Sequence, residues 1–140
     1  MEHFWGNIWR RTAGLLALGA RQYVKKTWST ADGSSVTGYQ QTSVTGYRDT
    51  GVSSGGTSGG FCSVTKASEL GTFNVTINGS SSTYECDGGY FDATAGVCYA
   101  LVGGSCSHGL FAGAFAAALD SSLAYTCWNA GASLSCKPKA

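Results

Sequence analysis

The sequence predicts a mainly β (α+β) fold: a small disulfide-stapled β domain with one buried apolar helix, preceded by an N-terminal basic amphipathic helix and a Ser/Thr/Gly-rich segment. Three observations predict it. All six cysteines fall between Cys62 and Cys136. Strand-like runs bounded by glycine and asparagine turns recur through that stretch. Apolar residues recur at helical spacing before residue 28. The chain divides accordingly into a basic helix at 1–28, a repeat or linker at 29–60 and a six-cysteine β-rich domain at 61–140.

In the first segment, Trp5, Ile8, Trp9, Leu15, Leu16 and Tyr23 fall on one helical face and Arg10, Arg21 and Lys25 on the other. An aromatic–aliphatic face opposed to a cationic one describes an amphipathic helix. Three roles suit it. Arg10-Arg11, the apolar run Thr12–Leu18 and the small residues Gly19-Ala20 resemble a cleaved signal. Tryptophans with bases also suit a helix lying at a membrane surface. The third role is packing on the body or on another copy. A full span is excluded, because the bases interrupt a run that would need about 20 apolar residues.

The second segment repeats itself: Ser35-Val36-Thr37-Gly38-Tyr39 returns eight residues later as Ser43-Val44-Thr45-Gly46-Tyr47, and Val52 follows Val44 by eight. An even period keeps equivalent side chains on one face of an extended chain, although a flexible Ser/Thr/Gly linker accounts for the pattern equally well. Ser53–Gly60 reads as a hinge.

The third segment takes its clearest local pattern from Thr72–Ile77, which alternates polar and apolar residues before Asn78-Gly79, the preferred pair for a two-residue turn. Ser80–Cys86 is the expected return strand. Val97–Val102 reads as a buried strand ended by Gly103-Gly104. The run Gly109–Leu119 is apolar nearly all round and reads as the buried helix. A strand from Leu123 to Trp128, a turn at Asn129-Ala130-Gly131 and a return through Leu134–Cys136 complete the body. The even cysteine count without CxxC spacing points to three disulfides in an oxidising compartment among Cys62, Cys86, Cys98, Cys106, Cys127 and Cys136. The pairing is left open, with 62–86, 98–106 and 127–136 the short-range solution. The Cys127–Cys136 loop followed by Lys137-Pro138 resembles the C-terminal loop of type IV pilins. The bases at 10–11 and 21–26 exclude the long apolar helix that defines them, so the family is not assigned.

Charge separates along the chain. Residues 1–28 carry five bases against Glu2, whereas residues 29–140 carry four bases against seven acids. A basic end on an acidic body suggests an anionic or acidic contact for the N-terminus, and the body lacks the basic patch that nucleic acid needs. Charged residues are only 12% of the chain, and glycine supplies 21 of 140 positions. That composition favours a secreted or virion β protein over a cytosolic enzyme.

Motifs for chemistry are sparse. Glu85, Asp87 and Asp92 surround Gly88-Gly89, but the spacing does not match a calcium loop. His108, Asp120 and a serine form no recognisable nucleophile pattern. No residue is assigned to catalysis, cofactor binding or metal binding. Tyr39, Tyr47, Tyr90, Phe91, Tyr99 and Trp128 are candidates for sugar or protein contact, with Tyr90-Phe91 the best placed for exposure. Asn74 and Asn78 each begin an N-glycosylation triplet. The expected function is a non-catalytic structural or adhesive subunit of an extracellular or virion assembly, a filament, fibre, spike or capsid-associated protein. Its partners would be copies of itself or other assembly subunits, with a membrane surface reached through residues 1–28 and no nucleic acid. The alternative is a secreted membrane-active or inhibitory protein acting through its cationic N-terminal helix.

Overall fold

The computed structural model describes residues 7–25, 43–55, 59–80, 82, 87–122 and 124–131. Among them are ten strands and one short 3-10 segment. The mainly β expectation stands, but both expected helices are replaced.

The described part of the first segment is a β-hairpin. Strand β1 (Trp9–Leu18) and strand β2 (Arg21–Lys25) pair antiparallel from Leu15↔Val24 to Leu18↔Arg21. Gly19-Ala20 makes the turn. Gly19 holds a φ of +56°, and a Cβ there would stand 2.8 Å from the Ala93 carbonyl oxygen. A tight two-residue hairpin turn draws on that positive φ, so glycine is required here. The helical pattern misleads because of a register shift. Strand β8 (Val97–Val102) pairs along the other edge of β1, with Arg11↔Leu101 and Thr12↔Ala100, then Leu16↔Tyr99 and Ala17↔Cys98. Tyr99 and Leu101 share a face, so Arg11 and Leu16 share one too, although an odd number of residues separates them. An irregularity between Thr12 and Leu16 breaks the two-residue period and produces apolar spacings that imitate a helix.

The main sheet draws on all three sequence segments. With β3 (Tyr47–Ser53), β4 (Gly59–Phe61), β7 (Gly88–Phe91) and β9 (Ala117–Leu119), its order is β3-β2-β1-β8-β9-β7-β4. A two-residue strand, β10 (Ala130–Gly131), adds parallel to the start of β1 at Trp9 and Arg10. The first copy of the period-eight repeat lies outside the described residues; the second ends at Tyr47, which opens β3. Strands β5 (Val64–Ser68) and β6 (Gly71–Thr76) form a separate antiparallel pair.

Both faces of the main sheet are covered. Leu16, Tyr47 and Tyr99 form one buried cluster, continued by Trp9, Leu101, Ala116 and Ala118. Ala17, Phe91, Cys98, Ala100 and Leu119 form the other, with Leu15 and Ile77 packed against it. A buried polar network ties the two sheets together. Gln22 is 2% exposed, and its Nε2 donates to Ser54 Oγ at 2.6 Å and to the Asn74 carbonyl at 3.1 Å. Ser54 Oγ donates to the same carbonyl at 2.7 Å, and Thr50 Oγ1 donates to the Gln22 carbonyl at 2.9 Å. These groups are paired, as buried polar groups must be.

Further expectations are corrected. Residues 109–119 form no α-helix. The 3-10 segment spans Cys106–Phe111, Gly109 interrupts it with φ 52° and ψ −125°, and Ala117–Leu119 is strand β9. Of the alanines in this run, Ala116 and Ala118 are buried in the cluster with Trp9 and Leu101. The hairpin of β6 is made with β5 through Glu69-Leu70, because Ser68 pairs with Gly71. Gly79 instead donates its N–H to the Phe61 carbonyl at 2.9 Å, and most of the expected return strand lies outside the described residues.

The expected staples are not seen among the described residues: no disulfide joins any two of the described cysteines. The Cys98–Cys106 pairing fails on distance. Cys98 lies near the start of β8 and Cys106 beyond its far end, where its N–H donates to the Asn7 carbonyl beside β1. The four residue steps from Cys98 to Val102 span roughly 13 Å, and a bridge needs Cα atoms within about 7 Å. Cys86 and Cys136, the other expected partners, lie outside the described residues. Asn74, which begins one of the glycosylation triplets, is only 9% exposed, and its Nδ2 donates to the Phe115 carbonyl at 2.8 Å, so it offers no glycan acceptor.

Replacing Gln22 by alanine removes the bridging amide and leaves a void between the sheets. The expected loss is about 2 kcal/mol or more, read as a lower urea midpoint. An unchanged midpoint would show that the network carries no stability.

Candidate functional site

The start of β1 builds one wall of a pocket on the aromatic side of the sheet. Trp9 donates its backbone N–H to the Asn129 carbonyl at 2.7 Å, and the Arg11 guanidinium donates to the Tyr125 carbonyl. These bonds fasten the loop 124–131 against β1. On the other side, the Cys106 N–H bond to the Asn7 carbonyl fastens the 3-10 segment at 3.1 Å. The sheet supplies the floor through Tyr90 of β7 and Ala118 of β9, which are register partners.

A cavity of about 160 Å³ lies between these parts, lined by Trp9, Tyr90, His108, Ala118, Asp120, Ser121, Tyr125 and Asn129. Three of its rings meet edge to face. Trp9 and Tyr90 lie 6.1 Å apart at 80°, Trp9 and His108 5.2 Å at 79°, and Tyr90 and His108 5.8 Å at 81°. Such arrangements match the positive edge of one ring to the negative face of the next. Beside them Phe61 stacks on Phe111 at 4.0 Å. Glycines make room for the rings: a side chain at Gly59 would overlap Tyr90, and a Cβ at Gly88 would stand 2.6 Å from the Phe111 ring.

His108 is oriented from behind. Its Nδ1 lies 2.5 Å from Ser105 Oγ, and Ser105 is fully buried. Ser105 Oγ is also 3.0 Å from Ser107 Oγ. Burial, then the charge of Asp120, raises the Tyr90 pKa and keeps its hydroxyl protonated. Asp120 is exposed at the rim and accepts a hydrogen bond from Ser121 at 3.3 Å. Asn129 Oδ1 is buried and has no hydrogen-bond partner. Cys127 sits on the same loop. The backbone N–H of Asn129 and then the Tyr125 hydroxyl lower its pKa, while burial, followed by Asp120 and Asp92, raises that of Cys98.

The structure scatters most residues expected to contact a membrane or assembly. Trp9 and Leu16 are buried, Tyr23 packs beside Leu16, and Leu15 packs on the opposite face. Ile8 lies against Gly131. Trp5 lies outside the described residues. Of the candidate binding aromatics, Tyr90 faces the pocket and Trp128 is 74% exposed, whereas Tyr47, Phe91 and Tyr99 are core residues. Tyr39 lies outside the described residues. Asp87 accepts the Phe115 N–H at 2.6 Å, and Asp92 accepts from the Thr94 hydroxyl and N–H. Both acids therefore serve turns, and Glu85 lies outside the described residues. No group of three or more metal-ligating side chains occurs among the described residues.

Sequence reasoning missed Asp120 and Asn129 as site residues, since neither stands in a motif with Trp9, Tyr90 or His108. A second cavity, of about 150 Å³, lies on the other side of the sheet against β6; Phe73, Phe91, Phe115 and Leu119 are among its mostly apolar walls. No helix among the described residues is long and apolar enough to cross a membrane. Comparison with protein-family models, curated proteins and solved structures finds no match to this chain.

The thiols give a direct test of the loop beside the pocket. In the native protein, Cys127 should alkylate with a pH midpoint below the ordinary thiol value of about 8.5. Cys98 should resist until the chain unfolds. Mass spectrometry of peptides after pulsed alkylation reads both; native labelling of Cys98 at the rate of Cys127 would contradict the burial assigned to it.

Proposed function

We propose that this chain is a non-catalytic adhesive β domain that recognises a small chemical group in the aromatic pocket. One observation carries the reading: Trp9, Tyr90 and His108, from three separate elements, enclose a cavity with Asp120 and Asn129. A concave site lined by aromatic rings and a few convergent polar groups is the usual form of a recognition site. A hydrolytic role has less support. Ser105, the hydroxyl nearest His108, is fully buried and holds the imidazole in place, so it presents no nucleophile to the cavity.

Display by an extracellular or virion assembly is part of the proposal. It rests on composition, with 12% charged residues and 21 glycines, because the disulfide reasoning no longer contributes. Protein partners, including further copies of the chain, have a route at the sheet ends. Strand β3 ends the strand order with β2 as its neighbour in the main sheet among the described residues, whereas β4, at the other end, is bridged at Phe61 by Gly79. An edge such as that of β3 favours strand addition. The alternative of membrane activity through a cationic helix loses its carrier, since residues 9–18 and 21–25 are strands.

An array of immobilised glycans, peptides and phospholipids, probed with the folded chain, tests recognition. Binding to at least one class is expected, and the double variant Tyr90→Ala, Asp120→Ala should lose about tenfold or more of it, given the weight of buried aromatic anchors. Absence of binding, or equal binding by the double variant, would contradict the proposal.

A further inference from the structure

The uncommitted groups of the pocket share one electrical character. Asp120 carries a carboxylate with no cationic partner among the described residues. Asn129 Oδ1 is a buried acceptor that receives no hydrogen bond among the described residues. Trp9, Tyr90 and Tyr125 line the cavity with aromatic rings, whose faces carry negative π density. Among the described residues no lysine or arginine lines the cavity, and the nearby Arg11 guanidinium is engaged by the Tyr125 carbonyl. Asp120, Asn129 Oδ1 and the rings thus ask for positive charge or for a hydrogen-bond donor.

We propose that this pocket receives a primary alkylammonium group, the end of a lysine side chain on a protein partner. The charge pairs with Asp120 and lies within reach of the ring faces, where cations are held at about 6 Å or less from the centroid. An N–H of the ammonium satisfies Asn129 Oδ1, which a quaternary ammonium cannot do. The rings and Ala118 then cover the adjoining methylenes, as lysine stems are commonly covered. A volume of about 160 Å³ suits such a side-chain end better than an extended ligand. An anion would meet the Asp120 charge, and a neutral sugar would leave that charge unanswered.

The inference rests on reading the pocket as a recognition site, and the test separates the two. Amide and indole NMR signals are followed during titration with n-butylammonium, Nα-acetyl-lysinamide, tetramethylammonium, glucosamine, methyl glucoside and butyrate, and with phosphatidylethanolamine vesicles. Butylammonium and acetyl-lysinamide are expected to shift the Trp9 indole and the Asn129 side-chain amide saturably. Tetramethylammonium should bind about tenfold more weakly, and Asp120→Asn should weaken butylammonium by a similar factor. Asp92→Asn, in a turn that does not line the cavity, should leave binding unchanged, and both variants must keep the wild-type spectrum elsewhere. Equal binding of tetramethylammonium, or indifference to Asp120→Asn, overturns the assignment. Preference for glucosamine or for the vesicles over acetyl-lysinamide overturns the lysine source. If methyl glucoside or butyrate moves these signals and the amines do not, the ammonium inference fails while the recognition reading survives. If no probe moves them, both fail.

Discussion

The pairing of β1 with its neighbours is the constraint on which the rest of the molecule depends. This ten-residue strand holds β8 along one edge, and β2 and β10 at opposite ends of the other. Towards both of its ends the backbone is thereby paired on both sides, as a central strand requires. The register shift after Thr12 divides its work. Before the shift, Trp9 enters the aromatic cluster and anchors the pocket; after it, Leu16 and Ala17 feed the two opposite cores. Loss of this pairing would remove the core and the site together.

The same strand explains why much of the fold was hidden in the sequence. Val97–Val102 was legible, since a short apolar run rich in β-branched and aromatic residues, stopped by two glycines, has few other uses. Residues 9–25 were not, because a bulge destroys the alternation that marks a strand and leaves spacings close to a helical period. Gly14 and Gly19 were the available signals against a helix, and both have positive φ. In Gly109–Leu119, alanine propensity favoured a helix, but Gly109 and tight packing between neighbouring strands prevailed. Asn78-Gly79 shows the limit of a strong turn signal. Local turn preference yielded to the longer-range bond between Gly79 and Phe61.

The pocket was less legible than the fold. Its members lie at positions 9, 90, 108, 118, 120, 121, 125 and 129, brought together by sheet order and not by spacing. Tyr90-Phe91 was the nearest approach to it from sequence. Strand alternation then separates that pair, sending Tyr90 to the pocket and Phe91 to the opposite core. The cysteines drew attention for the opposite reason. Their even number suggested staples, yet Cys98 is a buried core thiol and Cys127 a member of the pocket loop. A count of cysteines carries no information on distance.

The most direct test of the account is the backbone register of β1, read from nuclear Overhauser contacts in the uniformly labelled protein. Cross-strand contacts linking Arg11 with Leu101, Leu16 with Tyr99 and Leu16 with Tyr23 are the result the account requires. Sequential helical contacts three residues apart through residues 9–18, with no contact to β8, would contradict it and remove the basis for the pocket.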